Sequence, residues 1–282
     1  MKNKLVVVAG ATGRQGQSAV KSLLKKGYNV RALVRNPNKA NNLLKGDNVE
    51  IFKGDLRNKN SLNGLCDTAY GLFFALPFTK DSIALGKTLL DVAKESNLEH
   101  VIYSSVGGAD RYSKVDHYCY KKEIEEYLRK TGKPYSIIRP AGFMDEFANP
   151  KSIKIITGLL SLYLQNNTRF QLISIQDIGK FAAIAIDNPS KYIGKELEIA
   201  GDDLTLDKIF EKIEKVKNIK ITPMRMPKLV KLILPKMMKQ MFTFYAEDGW
   251  HADLKLLREE NPELLSFEGW LKTTDTYEKH FT

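Results

Sequence analysis

The sequence predicts an α/β fold, a doubly wound parallel sheet followed by a small mixed C-terminal subdomain. Over the first 140 residues, short runs of β-branched and aromatic residues alternate with longer amphipathic stretches, the pattern of strands joined by crossover helices. Two of those runs, "LVVVAG" and "GLFFAL", are almost wholly apolar, as strands covered on both faces are. Past "RPAG" (139–142) the alternation stops, which divides the chain into 1–140 and 141–282, with the second region expected to interleave with the first.

In order, strands are expected over 4–9, 29–34, 49–53, 71–76, 100–104 and 135–139, and helices over 14–26, 59–66, 80–96 and 117–131. In the third helix Ile83, Leu85, Leu89, Leu90, Val92 and Ala93 make an apolar stripe at the 3.6-residue period. Residues 152–167 are apolar without a strict period. The stretch 170–192 reads as a short strand and a helix that stops before Pro189, and 195–216 as a strand, a turn and a helix entered near Thr205. From Asn218 onward, Met and Lys recur in a pattern interrupted by proline, and the chain finishes in an acidic, Trp-containing tail.

Composition narrows the classes. The two cysteines, Cys66 and Cys119, support neither a disulfide framework nor a metal site, so a reducing, cytoplasmic setting is expected. The N-terminal apolar run breaks off too early for a secretory segment, and nothing approaches the ~18 apolar residues of a membrane span. The net charge of +11 lies entirely in residues 1–140, which hold 24 Lys and Arg against 13 Asp and Glu, while 141–282 hold 20 of each. No basic run with interleaved aromatics occurs in that half, so no nucleic-acid partner is expected; a solvated basic surface or steering of a phosphate-rich ligand remains.

The stretch "VVVAGATGRQGQSAV" (6–20) places Gly10, Gly13 and Gly16 between an apolar run and an amphipathic helix. That is the context a dinucleotide turn requires. Its glycines allow a tight turn, close approach of backbone to a pyrophosphate, and close packing of helix on strand. The helix start then offers N–H groups and a positive dipole end to the phosphates, with Thr12, Arg14 and Gln15 in the same turn as further candidates. The spacing is G-x-x-G-x-x-G. About twenty residues on, where a carboxylate selects NAD(H), the sequence has Val34-Arg35 with Lys39 nearby. An arginine pairs with a 2′-phosphate that a carboxylate would repel, so NADP(H) is expected over NAD(H). Asp55 and Leu56 end the third strand where an adenine would lie, and Ala75, Leu76, Pro77 and Phe78 end the fourth at the carboxyl edge, where ligands of open sheets collect.

Together with "VRALVRNPNKA", "GDLRN", "HYCYKKEIEEYLRKTGKPYSIIRPAGFMDEF" and "DIGKFAAIAIDNPSKYIGKELEIAGDDLT", the glycine turn resembles the NmrA-like family of atypical short-chain dehydrogenase/reductase-like proteins, from about residue 4 to about 207. The resemblance implies a Rossmann domain, bound NADP(H), and a small C-terminal subdomain closing over the nicotinamide end. Family members divide into reductases of quinones, dyes or phenolic compounds, and redox sensors that bind a dinucleotide and a protein partner without turnover.

Active short-chain dehydrogenases use Tyr-x-x-x-Lys, the lysine lowering the tyrosine's pKa and holding the ribose. Tyr118 and Lys122 meet that spacing literally, but alignment on "EIEEYL" puts the family's lysine at Lys121 and its tyrosine position at His117. The second register is favoured, with Lys121 on the nicotinamide ribose and His117 as either a general acid or a local helix cap. Ser104 and Ser105 end the fifth strand, whereas the family's serine would fall at Val106 or Gly107. A quinone-like acceptor takes hydride and draws its proton from water, so positioning and an apolar pocket suffice. Phe78, Phe143, Met144 and Phe147 are expected to line such a pocket for a flat, apolar or aromatic substrate, with Phe143 also against the cofactor; plain core packing is the competing account. Two functions stay open: an NADP(H)-dependent reductase of a small quinone-like or conjugated carbonyl compound, and a non-catalytic NADP(H)-sensing regulator acting through a protein partner. The segment 228–242 interleaves lysines with Leu, Ile and Met around Pro235, a pattern that suits a membrane surface, a partner or a core strip.

Overall fold

The computed structural model describes residues 4–44, 46–112 and 114–274. The first half of the chain builds β1 (Leu5–Ala9), α1 (Arg14–Lys25), β2 (Asn29–Val34), α2 (Pro37–Leu43), β3 (Val49–Lys53), β4 (Ala69–Ala75), α3 (Ser82–Lys94), β5 (His100–Ser104), α4 (Asp116–Lys130) and β6 (Tyr135–Pro140). There follow β7 (Gly142–Phe143), α5 (Pro150–Leu160), β8 (Phe170–Ile173), α6 (Ile175–Asp187), α7 (Pro189–Tyr192), β9 (Glu196–Ile199), β10 (Asp202–Leu204) and α8 (Leu206–Lys217). The last helices are α9 (Val230–Ile233), α10 (Lys236–Glu247), α11 (Leu254–Glu260) and α12 (Phe267–Thr273).

A seven-stranded sheet runs in the order β3-β2-β1-β4-β5-β6-β9, and a three-stranded sheet in the order β10-β8-β7. β1 to β6 pair in parallel, with β1 central and Val8 opposite both Ala32 and Phe73. The order reverses at β1, between β2 on one side and β4 on the other, which is the switch point where open α/β sheets bind ligands. The small sheet is mixed: β10 runs antiparallel to β8, and β7 parallel to it.

The chain forms two compact units. The first comprises the chain up to Val106, Cys119–Arg139 and Ile175–Leu197; the second comprises Gly107–Tyr118, Pro140–Ser174 and the chain from Glu198 on. In the first, Val7, Leu72, Phe74 and Tyr103 of the sheet meet Leu89, Leu90, Ile124 and Leu128 of α3 and α4. Each such aliphatic side chain contributes roughly 1.5–3 kcal/mol by leaving water. The expected stripe on α3 is largely the buried face: Leu85, Leu89, Leu90 and Ala93 are interior, while Ile83 and Val92 are half-buried. On the other face α6 packs along α1, where Ser18 Oγ donates to Gln176 C=O at 3.0 Å. In the second unit, Phe170, Tyr245, Trp250 and Phe244 form an edge-to-face aromatic cluster.

Among the elements that differ from the sequence expectation, three have an evident local cause. The helix expected over 59–66 is only a 3-10 turn, Lys59–Leu62, because Ser61 Oγ binds the N–H and C=O of Asp55 and Gly64 turns the chain at a φ of 80°. Helix α2 was not expected; Asn36 caps it by accepting from Lys39 N–H at 3.3 Å, and Pro37 sits at its first position. The aperiodic apolar stretch after 152 contributes to α5, where Thr157 and Ser161 hydroxyls donate back to the carbonyls of Ile153 and Thr157.

Candidate functional site

The glycine turn lies between β1 and α1, at the carboxyl end of the central strand. Gly10 has a φ of 82°, and a Cβ there would stand 2.4 Å from the carbonyl oxygen of Ala75, so both dihedral and space demand glycine. A Cβ on Gly16 would stand 2.1 Å from the Gly10 oxygen, so the first turn of α1 rests directly on the loop. Gly13 caps α1 with ordinary extended dihedrals and donates to the Gly10 carbonyl at 2.9 Å. This cap brings no side-chain acceptor, and the first turn has no acidic residue, so the helix start keeps its positive end. Thr12 accepts from Gln17 Nε2 at 2.9 Å, and Gln15 accepts from the buried Ser104 hydroxyl at 2.6 Å. Arg14 is exposed at the first position of α1.

Arg35 follows β2 and Lys39 lies in the first turn of α2; both are exposed, and neither side chain has an ion-pair partner among the described residues. Asp55 closes a tight turn by accepting from Arg57 N–H at 3.0 Å, and Leu56 packs half-buried against the core. Arg57 in turn pairs with Asp81, whose carboxyl is held below its usual pKa by Thr79 and that guanidinium.

At the end of β4, Leu76 is buried while Pro77 and Phe78 are exposed. Lys121 of α4 is only 3% exposed and its Nζ donates to the Leu76 carbonyl at 2.8 Å. The ammonium lies 5.0 Å from the Phe78 ring centroid and 5.4 Å from that of Tyr103. Burial pushes its pKa down to about 7, against the opposing pull of Glu125. Lys122 faces outward, beside Lys87, Cys119 and Glu126 on a surface depression. The helix period separates the two lysines: Lys121, Ile124, Glu125 and Leu128 share the buried face.

The remaining candidates fall in the second unit. His117 and Tyr118 are both buried, ring to ring at 4.7 Å, and Tyr118 packs on Phe244 at 5.1 Å. Burial pushes the Tyr118 phenol well above its ordinary pKa, the opposite of what a proton donor needs. Phe143 lies half-buried in β7 opposite Ile173, while Met144 and Phe147 are core, Phe147 edge-on to Phe267. Ser105, which belongs to the first unit, is buried and its hydroxyl has no partner among the described residues. The Ser104–Gln15 and Lys121–Leu76 bonds were not foreseen, since each joins residues far apart in sequence.

A parallel sheet with a glycine turn at its switch point defines a Rossmann-type nucleotide-binding architecture. The chain belongs to the NmrA-like family, whose model matches residues 2–270. It is 29% identical over 192 residues to the photosystem II assembly factor Ycf39 of Trieres chinensis, covering 65% of this chain and 60% of that one. It is 25% identical over 257 residues to the nitrogen metabolite repression protein nmrA of Emericella nidulans, covering 83% of this chain and 72% of that one. In fold it is similar to the NADPH-dependent quinone oxidoreductase QOR2 of Escherichia coli, solved with NADPH, with a TM-score of 0.77 at 19% identity over 94% of this chain and 98% of that one. The chain spans 60% of the length of the photosystem II factor and about half that of the fungal NmrA-like oxidoreductases it also matches. No helix among the described residues is long and apolar enough to cross a membrane.

Proposed function

We propose that the chain binds NADP(H) at the carboxyl edge of the parallel sheet and reduces a small, apolar or aromatic, quinone-like or conjugated carbonyl compound. The observation that carries this reading is Lys121, a buried ammonium at the end of β4 with one of its three donors on Leu76 and no carboxylate paired to it among the described residues. Two donors then suit a pair of ribose hydroxyls. The rest of the first unit fits the same group. The start of α1, which carries no side-chain cap, accepts a pyrophosphate with Gly13 and Gly16, Thr12, Arg14 and Gln15 flank it, and Arg35 and Lys39, with no ion pair among the described residues, suit a 2′-phosphate. Asp55 and Leu56 border the adenine, and Ala75, Leu76 and Pro77 the far end. When bound, the cofactor supplies a hydride; the chain's own residues bind, orient and exclude water. The name of the quinone oxidoreductase with the similar fold supports the reaction class. The scarcity of cysteine, two residues in the chain, supports a reducing compartment such as the cytoplasm.

A second reading, a dinucleotide-sensing regulator without turnover, is favoured by one observation: the buried phenols of Tyr103 and Tyr118 are both pushed well above their ordinary pKa, so neither is tuned to give up a proton. The nitrogen metabolite repression relative points the same way. Following NADPH absorbance over a panel of quinones, dyes and aldehydes separates the two. Turnover of any member supports the reductase. Retained NADPH affinity with no turnover across the panel assigns the sensor.

A further inference from the structure

Residues 215–246 contain eight lysines and arginines and no aspartate or glutamate, within a half of the chain whose remaining residues carry an excess of acids. Inside that run, α9 and its flanks present Leu229, Leu232 and Ile233 with exposures of 72%, 71% and 81%. Met224 and Met237, to either side in sequence, are about half exposed. Large aliphatic side chains this open, next to one another in one short turn, are not what a soluble surface displays by default.

The tip is held in place by its own cations. Lys239 Nζ donates to the Leu232 carbonyl at 2.7 Å, Lys231 sits 4.5 Å from the Tyr163 ring centroid, and Lys236 pairs with Asp116 at 3.0 Å. Behind it α10 buries Phe242 and Phe244, and Pro235 at its N-cap fixes the break between the two helices. The outward aim of Leu229, Leu232 and Ile233 is therefore built into the fold. Arg225 and Lys228, both exposed on the approach to the tip, have no ion-pair partner among the described residues.

We propose that this tip docks on an anionic lipid surface, its aliphatic residues entering the headgroup boundary and Arg225, Lys228 and their neighbours meeting lipid phosphates. Two features favour lipid over protein as the occupant. The exposed apolar residues are aliphatic, without the tryptophan or tyrosine anchors that dominate protein interfaces. The tip is also one helical turn long, too small for a stable protein contact but enough to insert when basic charge assists it.

The test is co-sedimentation of the full chain with phosphatidylcholine vesicles, with and without phosphatidylglycerol. Binding is expected only to the anionic vesicles and should weaken with added salt. The double variant Leu232→Ser, Ile233→Ser should bind about tenfold more weakly or worse, with an unchanged thermal midpoint because both side chains are exposed. The proposal is overturned if the wild type stays in solution with anionic vesicles, or if the double variant partitions as the wild type does. A dimer in solution that the double variant dissolves would assign the face to a second copy and also overturn it. So would equal binding to soluble polyglutamate by both forms, which would leave the lysines as a site for acidic protein. NADPH affinity is read separately, so failure here leaves the nucleotide site standing.

Discussion

Two buried charges sit one helical turn apart on α4 and live under opposite conditions. Glu125 is completely buried and fully matched: Arg139 meets it twice, at 3.0 and 2.7 Å, and Arg129 once, at 3.1 Å. Both arginines also hold Glu196, Arg129 at 2.7 and 2.8 Å and Arg139 at 2.6 Å, so two acids and two bases close a ring joining α4, β6 and β9. Lys121 has a carbonyl, two aromatic faces and a depressed pKa. A matched set stabilises a scaffold; an unmatched buried cation destabilises it and is kept where a ligand completes it.

Breaking the matched set should give the largest effect. Glu125→Gln leaves the nearly buried Arg139 short of a counter-charge, a change that typically costs about 3–5 kcal/mol. For a chain of this length that is a fall on the order of 10 °C in thermal midpoint, read by thermal unfolding. An unchanged midpoint would erase the distinction between scaffold and site charges.

Lys121→Met should move stability the other way. An unfolded lysine titrates at ~10.4, and burial brings Lys121 in the fold down to about 7. The folded protein therefore loses stability as pH falls from the first value to the second, and the deficit is constant below neutral pH. Methionine removes that deficit, so the variant should gain about 1–3 kcal/mol at pH 7 after losing the bond to Leu76, with the gain shrinking toward pH 10. NADPH affinity and any turnover should fall about tenfold or more. A variant that is both less stable and equally active would make Lys121 a structural residue.

The sequence carried the regular parts of this arrangement well. Strands β2, β3 and β5 end where their β-branched and aromatic runs end, and the glycine turn is legible because Gly10 and Gly16 meet hard steric limits that no other residue satisfies. Helix α2 was equally written in Asn36-Pro37 but masked by a loop-like composition. The partners of Gln15 and Lys121 were not legible, because Ser104 and Leu76 reach them across the sheet, 89 and 45 residues away. That Lys121 and not Lys122 lies on the buried face of α4 needed only the helix period, since Ile124 and Leu128 mark that face.

Arg35 extends the comparison to an exposed, unmatched cation. If it serves a 2′-phosphate, Arg35→Ala should leave the thermal midpoint unchanged and weaken NADPH about tenfold relative to NADH, an effect that shrinks with added salt. Equal affinities for the two dinucleotides before mutation would remove Arg35 from the site.

The smallest effect belongs to an unmatched neutral group. Tyr103 is fully buried, stacked on Phe74 at 4.5 Å, and its hydroxyl has no partner among the described residues. Lys121 is its neighbour, with the ammonium above its ring. A buried hydroxyl without a partner is unfavourable, so Tyr103→Phe should raise stability by about 1 kcal/mol while the ring contacts with Phe74 and Lys121 persist. The depressed pKa of Lys121 arises mainly from burial, so it should survive the change, and NADPH affinity with it. Turnover lost at unchanged NADPH affinity would instead put this phenol in contact with substrate, and the orphaned hydroxyl, like the unmatched lysine beside it, would then mark a place that the ligand completes.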